Sequence, residues 1–186
     1  SERKSNVLTA EQKKTTAYHE GGHAIVALEI DGEADPLHKV TIMPRGRALG
    51  VTMQLPTEDK VTYDKKYLEN QIAILMGGRL AEELILNQQT TGAGNDMERA
   101  TDIARKMVCN WGMSDNLGPL TYDNASNGQV FGQGGRNNGG STISEKLADK
   151  IDTEVRNLVE RNYIRAKELL IKHNDNLHKL AEALLE

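Results

Sequence analysis

The stretch AYHEGGHAIVAL, residues 17–28, places two histidines and a glutamate inside an apolar run with helical character. Residues four apart on an α-helix lie on the same face, so His19 and His23 can hold one metal ion between them. Glu20 lies where it can take a proton from a water that the metal activates. An apolar helix buries these polar groups at a free-energy cost unless something satisfies them, and a metal ion would do so.

The same spacing, His-Glu-x-x-His, is found on the metal-binding helix of zinc peptidases. Only three positions are specified, so a chance match in which the two histidines are merely hydrogen-bonded is the alternative. The apolar residues on both sides of the motif favour metal binding. We therefore expect a zinc hydrolase with Glu20 as its catalytic base.

Catalytic zinc usually has three protein ligands, so a third must come from elsewhere. Glu29 is excluded, because no glycine ends the helix at Val26 and the continuing helix turns Glu29 about 240° away from His23. Glu82, on a predicted second helix, and Asp96, at the start of a predicted third helix, are the two remaining candidates. Spacing alone does not decide between them.

Two glycine pairs interrupt the predicted helices, Gly21 with Gly22 and Gly77 with Gly78. Each mid-helix glycine is less favourable than alanine by about 1 kcal/mol. We hypothesise that the two helices approach closely through these glycines, so that Glu82 reaches the outer nitrogen of a ligating histidine and fixes its orientation. The alternative is that the glycines only relieve crowding in the core.

Composition narrows the class of protein further. The chain has 186 residues and a net charge of -4 with both signs mixed, which gives no electrostatic footprint for nucleic acid. Cys109, the only cysteine, allows no internal disulfide, fits a reducing compartment and is best interpreted as a small buried hydrophobe. No apolar run reaches the length of a membrane span.

The sequence predicts a mainly α fold: a helical zinc-peptidase domain with the histidine motif on an early helix, a small β-hairpin or meander, and long C-terminal helices. We expect one domain over residues 1–186, with a frayed linker at 1–10 and a mobile Gly/Asn-rich loop at 123–140. The predicted elements are a helix capped by Thr9 that runs to about Glu29, a β element from Val40 to Leu55, helices from Asp64 to about Leu86 and from Gly92 to Cys109, a long helix from a capping box at Thr142–Glu145 to about Lys172, and a last helix capped by Asn174 or Asp175.

Several motifs together resemble one family, the FtsH-type ATP-dependent zinc metalloproteases of bacteria and organelles. The resemblance covers nearly the whole chain from Leu8. One departure is Gly21, where the family more often has alanine. The motifs are HEGGH at 19–23, HKVTI at 38–42, PRGRALG at 44–50, GGRLAEE at 77–83 and TGAGND at 91–96.

This resemblance implies that His19, His23 and Asp96 bind one zinc ion, that Glu20 is the catalytic base, and that Glu82 lies near the site. It also implies a protease that hydrolyses unfolded or ATPase-delivered polypeptides in protein quality control. Relatives carry transmembrane segments and an AAA+ ATPase module before the protease domain, so the chain resembles a soluble proteolytic domain, with ATP bound only in the missing ATPase module. The resemblance further implies a homohexamer at the cytoplasmic face of a membrane, either the bacterial inner membrane or its organellar equivalent.

Two questions remain open at this stage. An edge strand of the Val40–Leu55 element could pair with the backbone of an extended substrate, or the hairpin could simply cover the core. The alternative function is a catalytically silent, zinc-bound oligomerisation or adaptor module. A structural zinc site usually fills all four positions, often with cysteines, and would leave Glu20 without a role.

Overall fold

A computed structural model of the chain describes residues 8–32, 34–44, 49–56, 62–122 and 144–186. The fold is mainly α, as predicted. A two-stranded sheet is the only sheet among the described residues. The elements are α1 (Ala10–Glu29), β1 (Leu37–Thr41), β2 (Val51–Gln54), α2 (Lys65–Leu86), a 3-10 turn (Thr91–Ala93), α3 (Gly94–Cys109), α4 (Glu145–Lys172) and α5 (Asn174–Leu185).

Helix α1 lies at the centre of the fold. Its residues are buried without interruption from Thr16 to Ala27, so the helix is enclosed on all sides rather than on one face. Thr9 caps it as predicted: its hydroxyl accepts from the Gln12 backbone N–H, and its own N–H donates to the Gln12 side chain. The cap fixes where the helix begins and therefore which residues reach the centre.

Helices α1 and α2 touch backbone to backbone. A Cβ at Gly22 would lie 2.1 Å from the carbonyl oxygen of Gly77, and a Cβ at Gly77 would lie 2.6 Å from the carbonyl oxygen of Gly22. The close approach expected from the glycine pairs is therefore present. Glycine at these two positions is what allows it, because no side chain fits between the helices.

The other helices enclose this pair. Helix α3 packs against α2 and α4, α4 packs against α2, and α5 packs against α1. Cys109 is fully buried, as predicted, and burial raises the pKa of its thiol. The largest fully buried apolar side chains are Ile72, Met76, Leu80, Met107, Ile151, Leu170 and Leu177.

The predicted β element is an antiparallel hairpin that packs against α1. Val40 lies opposite Thr52 and Thr41 lies opposite Val51, with a register irregularity between Leu37 and Lys39. Part of the connecting segment, residues 45–48, lies outside the described residues.

Two predicted helix caps need correction, and two predicted segments lie wholly or partly outside the described residues. Ser144, not Thr142, caps α4, because its hydroxyl accepts from the Leu147 backbone N–H. Neither Asn174 nor Asp175 caps α5: Asn174 is its first residue, and the preceding His173 makes no side-chain cap. Residues 1–7 of the predicted frayed linker and the whole predicted loop at 123–140 lie outside the described residues.

Candidate metal centre

Three side chains from two helices converge on one point. The Nε2 atoms of His19 and His23 are 3.1 Å apart, and Oδ2 of Asp96 lies 2.9 Å from the first and 3.1 Å from the second. Both histidines come from one turn of α1, and Asp96 comes from the first turn of α3. Among the described residues, these three form the only group of histidine, cysteine or acidic side chains arranged to hold a metal ion.

The hydrogen bonds behind the imidazole rings fix which nitrogen faces this point. Nδ1 of His23 lies 2.7 Å from the carbonyl oxygen of Ile74, which can only accept, so Nδ1 carries the proton. Nδ1 of His19 lies 2.7 Å from Oε2 of Glu82 and donates to it in the same way. In a neutral ring the Nε2 atom then carries a lone pair directed at the convergence point.

Three acceptor atoms this close to one another repel unless a positive charge lies between them. A tetrahedral zinc ion with ligands at about 2.0–2.1 Å holds them roughly 3.3 Å apart, within a few tenths of an ångström of the observed separations. Two imidazoles and one carboxylate are also a ligand set of catalytic zinc sites. The residues therefore fit a zinc ion.

The protonation of these groups follows from the same geometry. Burial alone would lower the pKa of His19, but hydrogen bonds with Asp96 and Glu82 outweigh it and raise this pKa to about 9. Burial alone would raise the pKa of Asp96, but its hydrogen bonds with His19 and His23 lower it overall. Without a metal, a proton on His19 supplies the positive charge, so metal binding must displace that proton.

Helix α2 forms the inner wall of the centre. A Cβ at Gly78 would lie 2.6 Å from Nε2 of His19 and 2.6 Å from Nε2 of His23, so the two imidazoles rest directly on the glycine backbone. Glu82, one turn further along α2, is fully buried. The α2 backbone thus fixes the depth of both rings, and Glu82 fixes the rotation of one of them.

Thr90 connects Glu82 to the segment that carries Asp96. Its hydroxyl donates to Oε1 of Glu82 at 2.5 Å and lies 3.3 Å from the Gly92 backbone N–H, where it caps the 3-10 turn. That turn leads into α3, where Asp96 occupies the first helical turn, a position that favours an acidic side chain. Thr90 therefore bonds directly to Glu82 and caps the turn that leads to Asp96.

The hairpin covers the other side of α1. Glu20 is buried, and its Oε2 accepts a hydrogen bond from the hydroxyl of Thr52 in β2 at 2.5 Å. The same hydroxyl lies 3.0 Å from the backbone carbonyl oxygen of Glu20. A Cβ at Gly50 would lie 2.8 Å from Cγ of Glu20, so the hairpin backbone also lies against the stem of this side chain.

A cleft of about 1350 Å³ opens onto the convergence point. It runs along the N-terminal half of α1, past Gln12 and Thr16, and is bounded by the hairpin at Gly50. His19 and Glu20 both line it. Its volume exceeds that of most small-molecule sites and suits an extended chain of several residues.

The structure brings together every residue predicted for the site. His19, His23 and Asp96 converge, Glu82 contacts the outer nitrogen of His19, and Glu20 lines the same cleft. The excluded Glu29 lies instead beside His173 at the start of α5, with a separation of 3.4 Å.

Sequence reasoning missed three contacts. Thr52 lies in an alternating strand pattern, which shows only that it shares no face with Val51 and Met53. Thr90 precedes a turn, which favours a capping hydroxyl but not a contact with Glu82. The third contact, from His23 to Ile74, is made by a backbone carbonyl oxygen. Every residue has this group, so the sequence does not indicate which one is used.

Two histidines one turn apart, a carboxylate from a separate helix and a glutamate beside an open cleft define the site of a metallopeptidase. Comparison with known proteins agrees with this class. The chain belongs to peptidase family M41, whose profile it matches over residues 6–186. The match confirms the predicted class of enzyme and does not favour the silent adaptor.

Individual relatives confirm the resemblance drawn from the motifs. The chain is 60% identical to an ATP-dependent zinc metalloprotease FtsH of Magnetococcus marinus over 99% of its residues, and 60% identical to one of Acidobacterium capsulatum over 100%. It is 52% identical, over 100% of its residues, to an ATP-dependent zinc metalloprotease FtsH of Myxococcus xanthus. The chain spans 27% of the length of the first relative and 28% of the other two. No helix among the described residues is long and apolar enough to cross a membrane.

Proposed function

We propose that this chain is a zinc-dependent endopeptidase domain in which His19, His23 and Asp96 bind the metal and Glu20 is the catalytic base. The observation that carries the proposal is the convergence of three acceptor atoms within 2.9–3.1 Å of one another, with the outer nitrogen of each ring already hydrogen-bonded. Such an arrangement requires a positive charge between the three atoms, and a zinc ion bound by them supplies it. The adjoining cleft supplies access for a substrate.

In this mechanism the residues divide the work between binding and proton transfer. When bound, zinc polarises the peptide carbonyl and lowers the pKa of a water molecule from about 15.7 towards roughly 7. Glu20 takes a proton from the attacking water and later delivers it to the amine that leaves. Glu82 holds His19 in the tautomer that the metal needs and raises its basicity as a ligand.

The substrate is proposed to be an extended, unfolded polypeptide. Among the described residues each strand of the two-stranded hairpin has one unpaired edge, and Gly50, the residue directly before β2, lines the cleft. A peptide that adds to this edge binds through its main chain, whatever its sequence. Such a protease would have broad specificity.

The relatives are named as ATP-dependent zinc metalloproteases, and the chain covers under a third of their length. We propose that in a full-length protein this domain receives substrates from an AAA+ ATPase module of the same chain. The accompanying proposals are a homohexamer, transmembrane segments and a position at the cytoplasmic face of a membrane, with a role in protein quality control.

The test replaces the base without removing the metal. Glu20→Gln is expected to bind one zinc per chain and to hydrolyse unfolded casein at least about a hundredfold more slowly, because the amide cannot accept the proton. Zinc content by atomic absorption and casein hydrolysis with and without a chelator are the measurements. Full activity in Glu20→Gln, or chelator-resistant activity in the unmodified chain, would refute the proposal.

A further inference from the structure

Glu20 is held by the hairpin and not only by its own helix. We propose that Thr52 is a positioning residue for Glu20: its hydroxyl anchors one carboxylate oxygen and leaves the other for proton transfer. This inference rests on the proposed function, because it assigns Thr52 a role in placing the catalytic base. It adds a residue from a different element, outside the histidine motif and outside the metal ligands.

The contact distances support a charge-assisted hydrogen bond. Oγ1 of Thr52 lies 2.5 Å from Oε2 of Glu20 and 3.0 Å from the backbone oxygen of the same residue. A hydroxyl has one proton, so it donates to one of these acceptors at a time. The carboxylate is the stronger acceptor while it is charged. Once Glu20 holds a proton, the hydroxyl can turn to the carbonyl, so neither protonation state leaves it unpaired.

The hairpin aims this hydroxyl through strand alternation. Thr52 lies opposite Val40 in β1 and is half-buried against α1, whereas the next residue, Met53, is 38% exposed. A shift of register by one residue would place an apolar side chain over Glu20 instead. Gly50 completes the contact, because its missing side chain lets the backbone rest on the Glu20 stem.

The same strand has two separate tasks under this proposal. Its backbone is available to pair with a substrate, while the Thr52 side chain points away to Glu20. Removal of the hydroxyl should therefore slow the chemical step and leave substrate binding unchanged. A residue that merely supported the hairpin would alter both.

The experiment compares Thr52→Val, which keeps the shape and removes the hydroxyl, with Thr52→Ser, which keeps the hydroxyl. In the zinc-loaded protein with an unstructured fluorogenic peptide, Thr52→Val is expected to lower kcat about 10- to 100-fold with KM unchanged. Thr52→Ser should restore most of the rate. Thr41→Val is the matched control: Thr41 lies in the same hairpin, and its hydroxyl accepts from the Met43 backbone N–H.

A second readout needs no activity. Thr52→Val is expected to lower the unfolding temperature by roughly 3–10 °C in the otherwise unmodified chain, because it removes a hydrogen bond to a charged group. The same substitution in a Glu20→Ala background should lower this temperature by less, since the charged partner is gone and only the hydrogen bond to the backbone carbonyl of residue 20 remains to be lost.

Several results would overturn the inference. These are an unchanged kcat in Thr52→Val, a loss of zinc with the loss of rate, a failure of Thr52→Ser to restore the rate, or equal changes in unfolding temperature in both backgrounds. If the unmodified zinc-loaded chain were inactive, the proposed function would fail by itself. The unfolding temperatures would then still decide whether Thr52 and Glu20 interact.

Discussion

Helix α1 contacts α2 on one side and the β-hairpin on the other, and the two contacts differ in kind. The α2 face, formed by Ile74, Gly77, Gly78 and Glu82, meets α1 backbone to backbone and holds the outer nitrogens of both imidazoles. The hairpin face, formed by Gly50 and Thr52, contacts the side chains of Thr16 and Glu20 and the carbonyl group of Glu20. One face therefore serves the metal ligands and the other serves the predicted base.

This division follows from rigidity. Ligands must stay within a few tenths of an ångström of the metal, and a contact between two helix backbones has no rotamers through which it could relax. As the proposed base, Glu20 must instead exchange a proton with the attacking water and the leaving amine, and a short strand beside the cleft can hold it in place for this. Changes to the α2 face should therefore affect folding and zinc binding, and changes to the hairpin face should slow turnover and leave zinc binding unchanged.

The largest effect is expected at the contact between the two helix backbones. Gly22→Ala should lower the free energy of unfolding by about 3 kcal/mol, because its Cβ would lie 2.1 Å from the Gly77 carbonyl oxygen and neither backbone can move alone. Chemical denaturation measures this, and zinc affinity should fall in parallel.

The neighbouring glycine is the matched control for that change. A Cβ at Gly21 would meet only the ends of the Leu177 and Leu180 side chains, at 3.2 and 3.9 Å. Gly21→Ala should therefore be neutral, or more stable by up to about 1 kcal/mol through its helix propensity. Equal destabilisation by both substitutions would contradict the idea that the backbone contact is special.

A smaller effect, on zinc binding, is expected at Glu82. Glu82→Gln should weaken zinc binding about 10- to 100-fold, because the amide keeps the shape but removes the negative charge behind His19. Competition with a fluorescent chelator measures the affinity.

Glu83→Gln tests whether that effect is specific to position 82. The Glu83 carboxylate accepts from Tyr163 and Gln89 and contacts no ligand. Zinc affinity should therefore remain unchanged in Glu83→Gln, and a similar loss in both variants would mean that overall charge is responsible.

The difference between the two faces also explains what could be predicted from sequence. The glycine pairs predicted the close contact between α1 and α2. Glycine inside a helix is unfavourable, so its presence indicates that tertiary packing requires it. The histidine motif predicted two ligands, because both histidines lie on one helix and residues four apart on a helix share a face.

Contacts between elements could not be predicted in this way, because they depend on how the helices and strands pack against one another. The choice between Asp96 and Glu82 depends on how α2 and α3 pack against α1, so spacing left it open and only the family resemblance favoured Asp96. Thr52 was not predicted because an alternating strand pattern gives a face but not the partner across it. Ser144, not Thr142, caps α4: both hydroxyl residues satisfy the capping preference, so the sequence alone does not choose between them.

The smallest effect is expected on the hairpin face, at Gly50, and it tests whether the two faces are separable. Its backbone is not left-handed, so contacts alone decide the outcome: a Cβ would lie 2.7 Å from Thr16 Cγ2, 2.8 Å from Glu20 Cγ and 2.8 Å from the Thr41 carbonyl oxygen. Gly50→Ala should push the hairpin away from Glu20 and lower kcat about 3- to 10-fold, because a small misplacement of the base slows proton transfer. Zinc content and zinc affinity, measured on the same sample, should not change. A loss of zinc in Gly50→Ala would mean that the hairpin also supports the ligands, and the separation between metal binding and proton transfer would then be wrong.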